Sequence, residues 1–166
     1  MMENMHGSLI IKINVAMTAL FVVASVVAAA AFSQPWKSIA VVVSLACFTI
    51  GITVFLWGYW TAVQRSRTDE ISVAAMYFLV DGAAPSKVAA ILNSTLAVQV
   101  VVAVATAIAR SSTDGKAGST LAFGILVPMM GLGFNGLWAS IHGSFSPRQL
   151  ADGAQVPHPD TQSGQD

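Results

Sequence analysis

Apolar residues run almost without interruption through four stretches of the chain, 9–32, 39–63, 88–109 and 121–141. An α-helix rises about 1.5 Å per residue, so about 20 such residues cover the roughly 30 Å of bilayer hydrocarbon. Each stretch is long enough to do so. A membrane-spanning strand would instead alternate over about ten residues, and none of the four alternates. The pattern therefore predicts an all-α fold, a bundle of four transmembrane helices. The connections 33–38, 64–87 and 110–120 are short, which favours antiparallel neighbours.

The middle connection holds a shorter apolar run, 71–80, bounded by Thr68-Asp69-Glu70 and by Asp81-Gly82. It is too short to cross a bilayer. A short interfacial or re-entrant helix over 70–81 accounts for it, with Thr68 or Asp69 as N-cap and acidic residues in the first turn, where the helix dipole favours them. The stretch 1–142 then forms a transmembrane four-helix domain. The stretch 143–166, rich in Gly, Pro, Ser, Gln and Asp, reads as a flexible polar C-terminal tail.

Within the spans, small and polar residues recur at alternating spacings of four and three, the period of left-handed helix packing. The first span has Asn14, Thr18, Phe21, Ser25 and Ala28; the second has Ala40, Ser44, Cys47, Gly51, Val54 and Gly58. The third has Thr95, Gln99, Val102, Thr106 and Ala109, with Leu92 breaking the stripe, and the fourth Gly124, Pro128, Gly131, Asn135, Trp138 and His142. Lipid offers an amide or hydroxyl no partner, so these stripes are expected to face inward. Asn14, Thr18, Thr95, Gln99 and Asn135 are the candidate polar residues of the bundle interior. They would either bond across helices and fix their register or line a polar vestibule. Pro128 removes a backbone donor inside the fourth span, so a kink is expected there.

Composition sharpens this picture. Apolar residues make up 55% of the chain and charged residues only 10%, with 8 Lys+Arg against 8 Asp+Glu and a mean hydropathy of +0.68. So few charges exclude an ordinary cytosolic enzyme, a disordered tail protein and an electrostatic nucleic-acid binder. The single Cys47 cannot form an intrachain disulfide, and the three histidines are scattered, so no metal or cofactor is implied. No Asp or Glu lies inside any span, whereas ion-coupled transporters, small multidrug exporters among them, depend on a buried carboxylate. Lys12 reads as a residue whose long side chain reaches the head groups. Ser140 and Ser144 flank His142 without a nearby acid or an elbow motif, so the expectation is that the chain is not an enzyme. Gly143 suits the C′ position that closes the last helix.

Four crossings place both termini on one side, together with Lys12, Arg65, Arg67, Lys87 and Arg148; Lys37, Arg110 and Lys116 lie opposite. By the positive-inside rule the termini are expected in the cytoplasm. Trp57, Tyr59, Trp60 and Trp138 close two spans at one end and would share an interfacial belt. Small residues near Ala28 suit a signal peptidase, but the apolar run is longer than a signal core and the segment before it is not clearly basic, which counts against cleavage.

The stretches Arg67-Thr-Asp-Glu-Ile-Ser-Val-Ala-Ala-Met-Tyr-Phe-Leu79 and Leu121-Ala-Phe-Gly-Ile-Leu-Val-Pro-Met-Met-Gly-Leu-Gly-Phe-Asn-Gly-Leu-Trp138, followed by His142-Gly143, resemble a group of small uncharacterised membrane proteins of actinobacteria, of the mycobacterial type. The resemblance implies four helices in the plasma membrane and carries no activity or functional residues. The expected function is that of a non-catalytic structural or accessory subunit in contact with the lipid bilayer, assembling as a homo-oligomer or with a membrane-protein partner. The alternative is a small transporter or channel for a neutral or lipophilic solute.

Overall fold

The computed structural model describes residues 2–113, 116–117 and 119–148. Its elements are α1 (Met2–Ala31), α2 (Gln34–Arg65), β1 (Asp69–Glu70), α3 (Val73–Phe78), α4 (Ser86–Ala109), β2 (Ser112–Thr113), β3 (Lys116–Ala117), a 3₁₀ helix (Thr120–Leu126), α5 (Pro128–His142) and β4 (Ser146–Pro147). Four segments are helices long and apolar enough to cross a membrane: Gly7–Ala31, Gln34–Arg65, Ser86–Ala109 and Thr120–His142. That is the architecture of a multi-pass membrane protein, and its class is all-α.

The helices α1 and α2 are joined more tightly than the sequence suggests, through Phe32 and Ser33 alone, because Pro35 is tolerated in the first turn of α2, where no helical donor is needed. Phe32 takes a left-handed φ of 43°, and two cations lie over its ring, Lys37 Nζ at 4.3 Å and the Arg110 guanidinium at 4.7 Å from its centroid. Arg110 Nε also donates to the carbonyl of Ala29 at 2.8 Å, so the ends of α1 and α4 are tied to the start of α2.

Along its length α2 packs chiefly on α5, through glycines. A Cβ on Gly51 would stand 2.6 Å from the backbone nitrogen of Met130, and one on Gly133 would stand 2.6 Å from the carbonyl oxygen of Gly51. Without Cβ atoms the two backbones approach to contact, which in lipid replaces the hydrophobic drive that water would supply. The core is stacked in three layers. Ala28, Ala40 and Leu121 lie at the Phe32 end; Phe21, Cys47, Ala103, Val127, Met130 and Phe134 lie in the middle; Ala62, Met76, Tyr77, Leu79, Leu92, Trp138 and Ala139 lie at the end carrying both termini.

The fourth span is not a kinked α-helix throughout. Residues Thr120–Leu126 are 3₁₀, capped by Ser119 Oγ accepting from Leu121 N–H at 3.1 Å, and the α-helix starts only at Pro128. Proline cannot donate to the carbonyl of Gly124, which accepts instead from Val127 N–H at 3.0 Å.

Three further expectations are corrected. The N-cap of α3 is Ser72, whose Oγ accepts from Ala75 N–H at 3.0 Å. Thr68 and Asp69 are otherwise engaged: Asp69 accepts from Arg65 Nε at 2.6 Å and sits in β1, which pairs antiparallel with β4. Trp138 does not join the exposed belt of Trp57, Tyr59 and Trp60. It is buried, because it shares the inward phase of Gly131 and Asn135. Gly143 ends α5 in extended rather than left-handed backbone, with ψ near 150°.

Residues 143–148, the start of the stretch read as a tail, pack onto the bundle. Ser144 N–H donates to Ala83 O at 3.1 Å and Arg148 N–H to Thr68 O at 2.8 Å. The rest of that stretch, 149–166, lies outside the described residues.

Candidate functional site

Polar side chains inside the bundle form two groups. In the first, Asn14 and Thr18 on α1 meet Thr95 and Gln99 on α4. Gln99 Nε2 donates to Thr18 Oγ1 at 2.6 Å and to Asn14 Oδ1 at 3.4 Å, and Asn14 Nδ2 donates to Thr95 Oγ1 at 3.0 Å. The Thr95 hydroxyl in turn donates a hydrogen bond to the carbonyl of Leu92 at 2.7 Å.

The remaining acceptor, Gln99 Oε1, takes the backbone N–H of Gly131 at 3.2 Å. That donor is free because the helix restarts at Pro128: Gly131 lies in the first turn of α5, and the carbonyl of Val127 already accepts from Met130. Gln99 thus caps a helix that begins inside the membrane-spanning segment. Gly131 makes the approach possible, since a Cβ there would stand 2.6 Å from Gln99 Oε1.

The second group centres on Asn135 of α5. Its Nδ2 donates to the carbonyl of Tyr77 at 2.9 Å and to Asn93 Oδ1 at 3.0 Å, while Asn93 Nδ2 donates to the carbonyl of Phe78 at 2.7 Å. The last turn of a helix leaves its carbonyls without intrahelical partners. Here two asparagines from the bundle supply them for α3 and hold it against α5. The Tyr77 ring stacks on Phe55 of α2 at 4.7 Å, and its buried hydroxyl finds no partner. Burial, and secondarily the neighbouring Tyr59, push the Tyr77 phenol up to about 12.

Asn14, Gln99 and Asn135 are completely buried, Thr18 nearly so, and Thr95 partly. The network brings Asn14, Thr18, Thr95 and Gln99 together; Asn135 belongs to the separate group. Pro128 sits at the junction that frees the Gly131 donor. The clamping role of Asn93 was not among the sequence candidates. Its position outside the stripe of α4 hid it, although an amide in a membrane-spanning stretch is itself a signal.

A cavity of about 930 Å³ opens at the end of the bundle that carries both termini, and its lining includes Gly7, Lys12, Arg65, Trp138 and His142. None of the five candidate polar residues lines it. Among the described residues, no group of three His, Cys, Asp or Glu side chains gathers as a metal-ligand set.

No family model, curated protein or solved structure matches this chain.

Proposed function

We propose that this chain is a non-catalytic protein of the plasma membrane that acts as a structural or accessory subunit through helix packing. The observation that carries the reading is the engagement of the interior polar residues. The side chains of Asn14, Thr18 and Gln99 bond one another across α1 and α4, and the Asn135 amide Nδ2 is engaged by Tyr77 O and Asn93, its buried Oδ1 alone lacking a partner. A route for a neutral solute needs such groups facing a path, whereas here they hold helices in register. The exposed Trp57, Tyr59 and Trp60 suit an interfacial belt, and α3, polar-flanked and packed on α5, suits a place in the same interface. The balance of five cations against three favours cytoplasmic termini. The resemblance to small actinobacterial membrane proteins supports the same setting.

The test is purification from the source membrane in mild detergent or native nanodiscs, with mass spectrometry of everything that travels with the chain. The expected result is a membrane-protein partner at fixed stoichiometry. Recovery of the monomer alone would overturn the reading, as would a homo-oligomer whose Gln99→Leu variant folds normally but loses solute flux.

A further inference from the structure

Three features of the cavity between the starts of α1 and α4 and the end of α5 have no part in the packing just described. First, Trp138 is only 6% exposed, yet its indole Nε1 has no hydrogen-bond partner, and the same holds for the buried Nε2 of His142. The two nitrogens converge on one spot: a Cβ on Gly7 would stand 3.3 Å from Trp138 Nε1 and 3.5 Å from His142 Nε2. Gly7, Trp138 and His142 all line the cavity.

Second, the lining is cationic. Among the described residues it contains Lys12 and Arg65 and no Asp or Glu. Arg65 is paired with Asp69 through Nε at 2.6 Å, and its Nη1 reaches the carbonyl of Ser140 at 3.4 Å, so the charge the described lining offers a ligand is chiefly that of Lys12. Third, part of the wall is apolar, built from Ile11, Val88, Ile91 and Ile141.

We propose that this cavity binds an anionic phospholipid, its phosphate held by Trp138, Lys12 and His142 and its glycerol and upper acyl carbons lying on the isoleucine wall. An indole nitrogen donates and cannot accept, so only an acceptor satisfies it, and an unmet donor at membrane depth is costly. Among acceptors, the cations select an anion, and phosphate oxygens take several donors at once. Size and polarity then choose among phosphates. A volume of about 930 Å³ with a partly apolar wall far exceeds a free phosphate and suits an amphiphile. This inference is independent of the accessory-subunit reading.

The experiment uses the purified full chain. Nanodiscs of phosphatidylcholine with an equal share of phosphatidylglycerol are opened in detergent, and retained lipid is read by native mass spectrometry. Thermal unfolding is followed in parallel on addition of phosphatidylglycerol, phosphatidylcholine or inorganic phosphate. Phosphatidylglycerol should be retained over phosphatidylcholine by about tenfold, the scale of one charge-assisted hydrogen bond. Lys12→Gln should abolish most of that preference, and Trp138→Phe, which keeps the ring body and removes the donor to the phosphate that both lipids carry, should lower the retention of both. Lys12 is exposed, so its variant tests the site even where Trp138→Phe fails to fold. Equal retention of the two lipids would overturn the proposal, as would a wild-type preference in folded Lys12→Gln. Equal stabilisation by inorganic phosphate at the same concentration would assign the site to a soluble anion and overturn the lipid.

Discussion

Replacing Gln99 with leucine keeps a side chain of similar size on α4 and removes the one amide that bonds to both α1 and α5, leaving the Asn14–Thr95 and Asn135–Asn93 bonds in place. Thr18, Asn14 and the Gly131 N–H would each lose a bond that lipid cannot replace. At about 1 kcal/mol per interhelical bond, Gln99→Leu should destabilise the bundle by about 2–4 kcal/mol. Reversible unfolding in detergent micelles measures it, and a change below about 0.5 kcal/mol would show that the network does not hold the helices. Tyr77 makes a prediction of the opposite kind. Its hydroxyl is buried without a partner and its phenol is pushed up to about 12. A group whose pKa is raised by folding contributes nothing differential below the unfolded value near 10. Stability should therefore fall as pH rises from about 10 towards 12, because only the unfolded state ionises freely there. Tyr77→Phe should remove that alkaline loss and the late phase of the phenolate absorbance titration while leaving the Phe55 stacking in place.

At the scale of elements, the closest contact is that between α2 and α5 at Gly51, Gly58 and Gly133. A methyl on Gly51 would stand 2.6 Å from Met130 N and 2.7 Å from its Cα, both backbone atoms that cannot rotate aside. Gly51→Ala should therefore force α2 and α5 apart and cost about 1–3 kcal/mol, despite the better helix propensity of alanine. The same unfolding assay reads it, and a neutral result would mean that the helices slide rather than separate. Gly51 and Gly58 belong to a stripe that was legible in the sequence, since lipid leaves a small or polar residue only one comfortable direction, whereas Gly133 lies outside the stripe of the fourth span. Asn14, Thr18, Phe21, Ser25 and Ala28 are all buried, and so are Ala40, Ser44, Cys47, Gly51 and Gly58. The 3₁₀ segment was not legible. Pro128 announces a missing hydrogen bond, but which way the preceding turn tightens depends on where Gln99 waits to cap Gly131. Nor was the Ser72 cap, because Asp69 has the same local credentials and is drawn away by Arg65 and by pairing with β4.

For the molecule as a whole, the sequence assigns sides by counting cations, and the fold shows how differently those cations are held. At the Phe32 end, Lys37 and Arg110 are pinned on one ring, and Lys37 is buried. At the end carrying both termini, Lys12, Arg67, Lys87 and Arg148 are exposed, and Arg65 is bound to Asp69. Topogenesis counts Lys and Arg near the ends of spans and gives little weight to an acidic partner, so Arg65 keeps its vote and the termini end remains the more basic. The cavity could not be read from the sequence, since Gly7, Arg65, Pro85 and Trp138 meet there from four elements and only the fold brings them to one place. It lies at that same basic end, so the side of the membrane it faces is set by the same count. Single cysteines at the exposed positions Thr68 and Ser111 report the two ends separately, and the native Cys47 is buried and should stay silent towards a membrane-impermeant maleimide. In intact cells Ser111→Cys should label fully and Thr68→Cys should label only after permeabilisation. The reverse pattern would place the termini and the cavity outside, and labelling of both positions in intact cells would contradict a four-span topology with a single orientation.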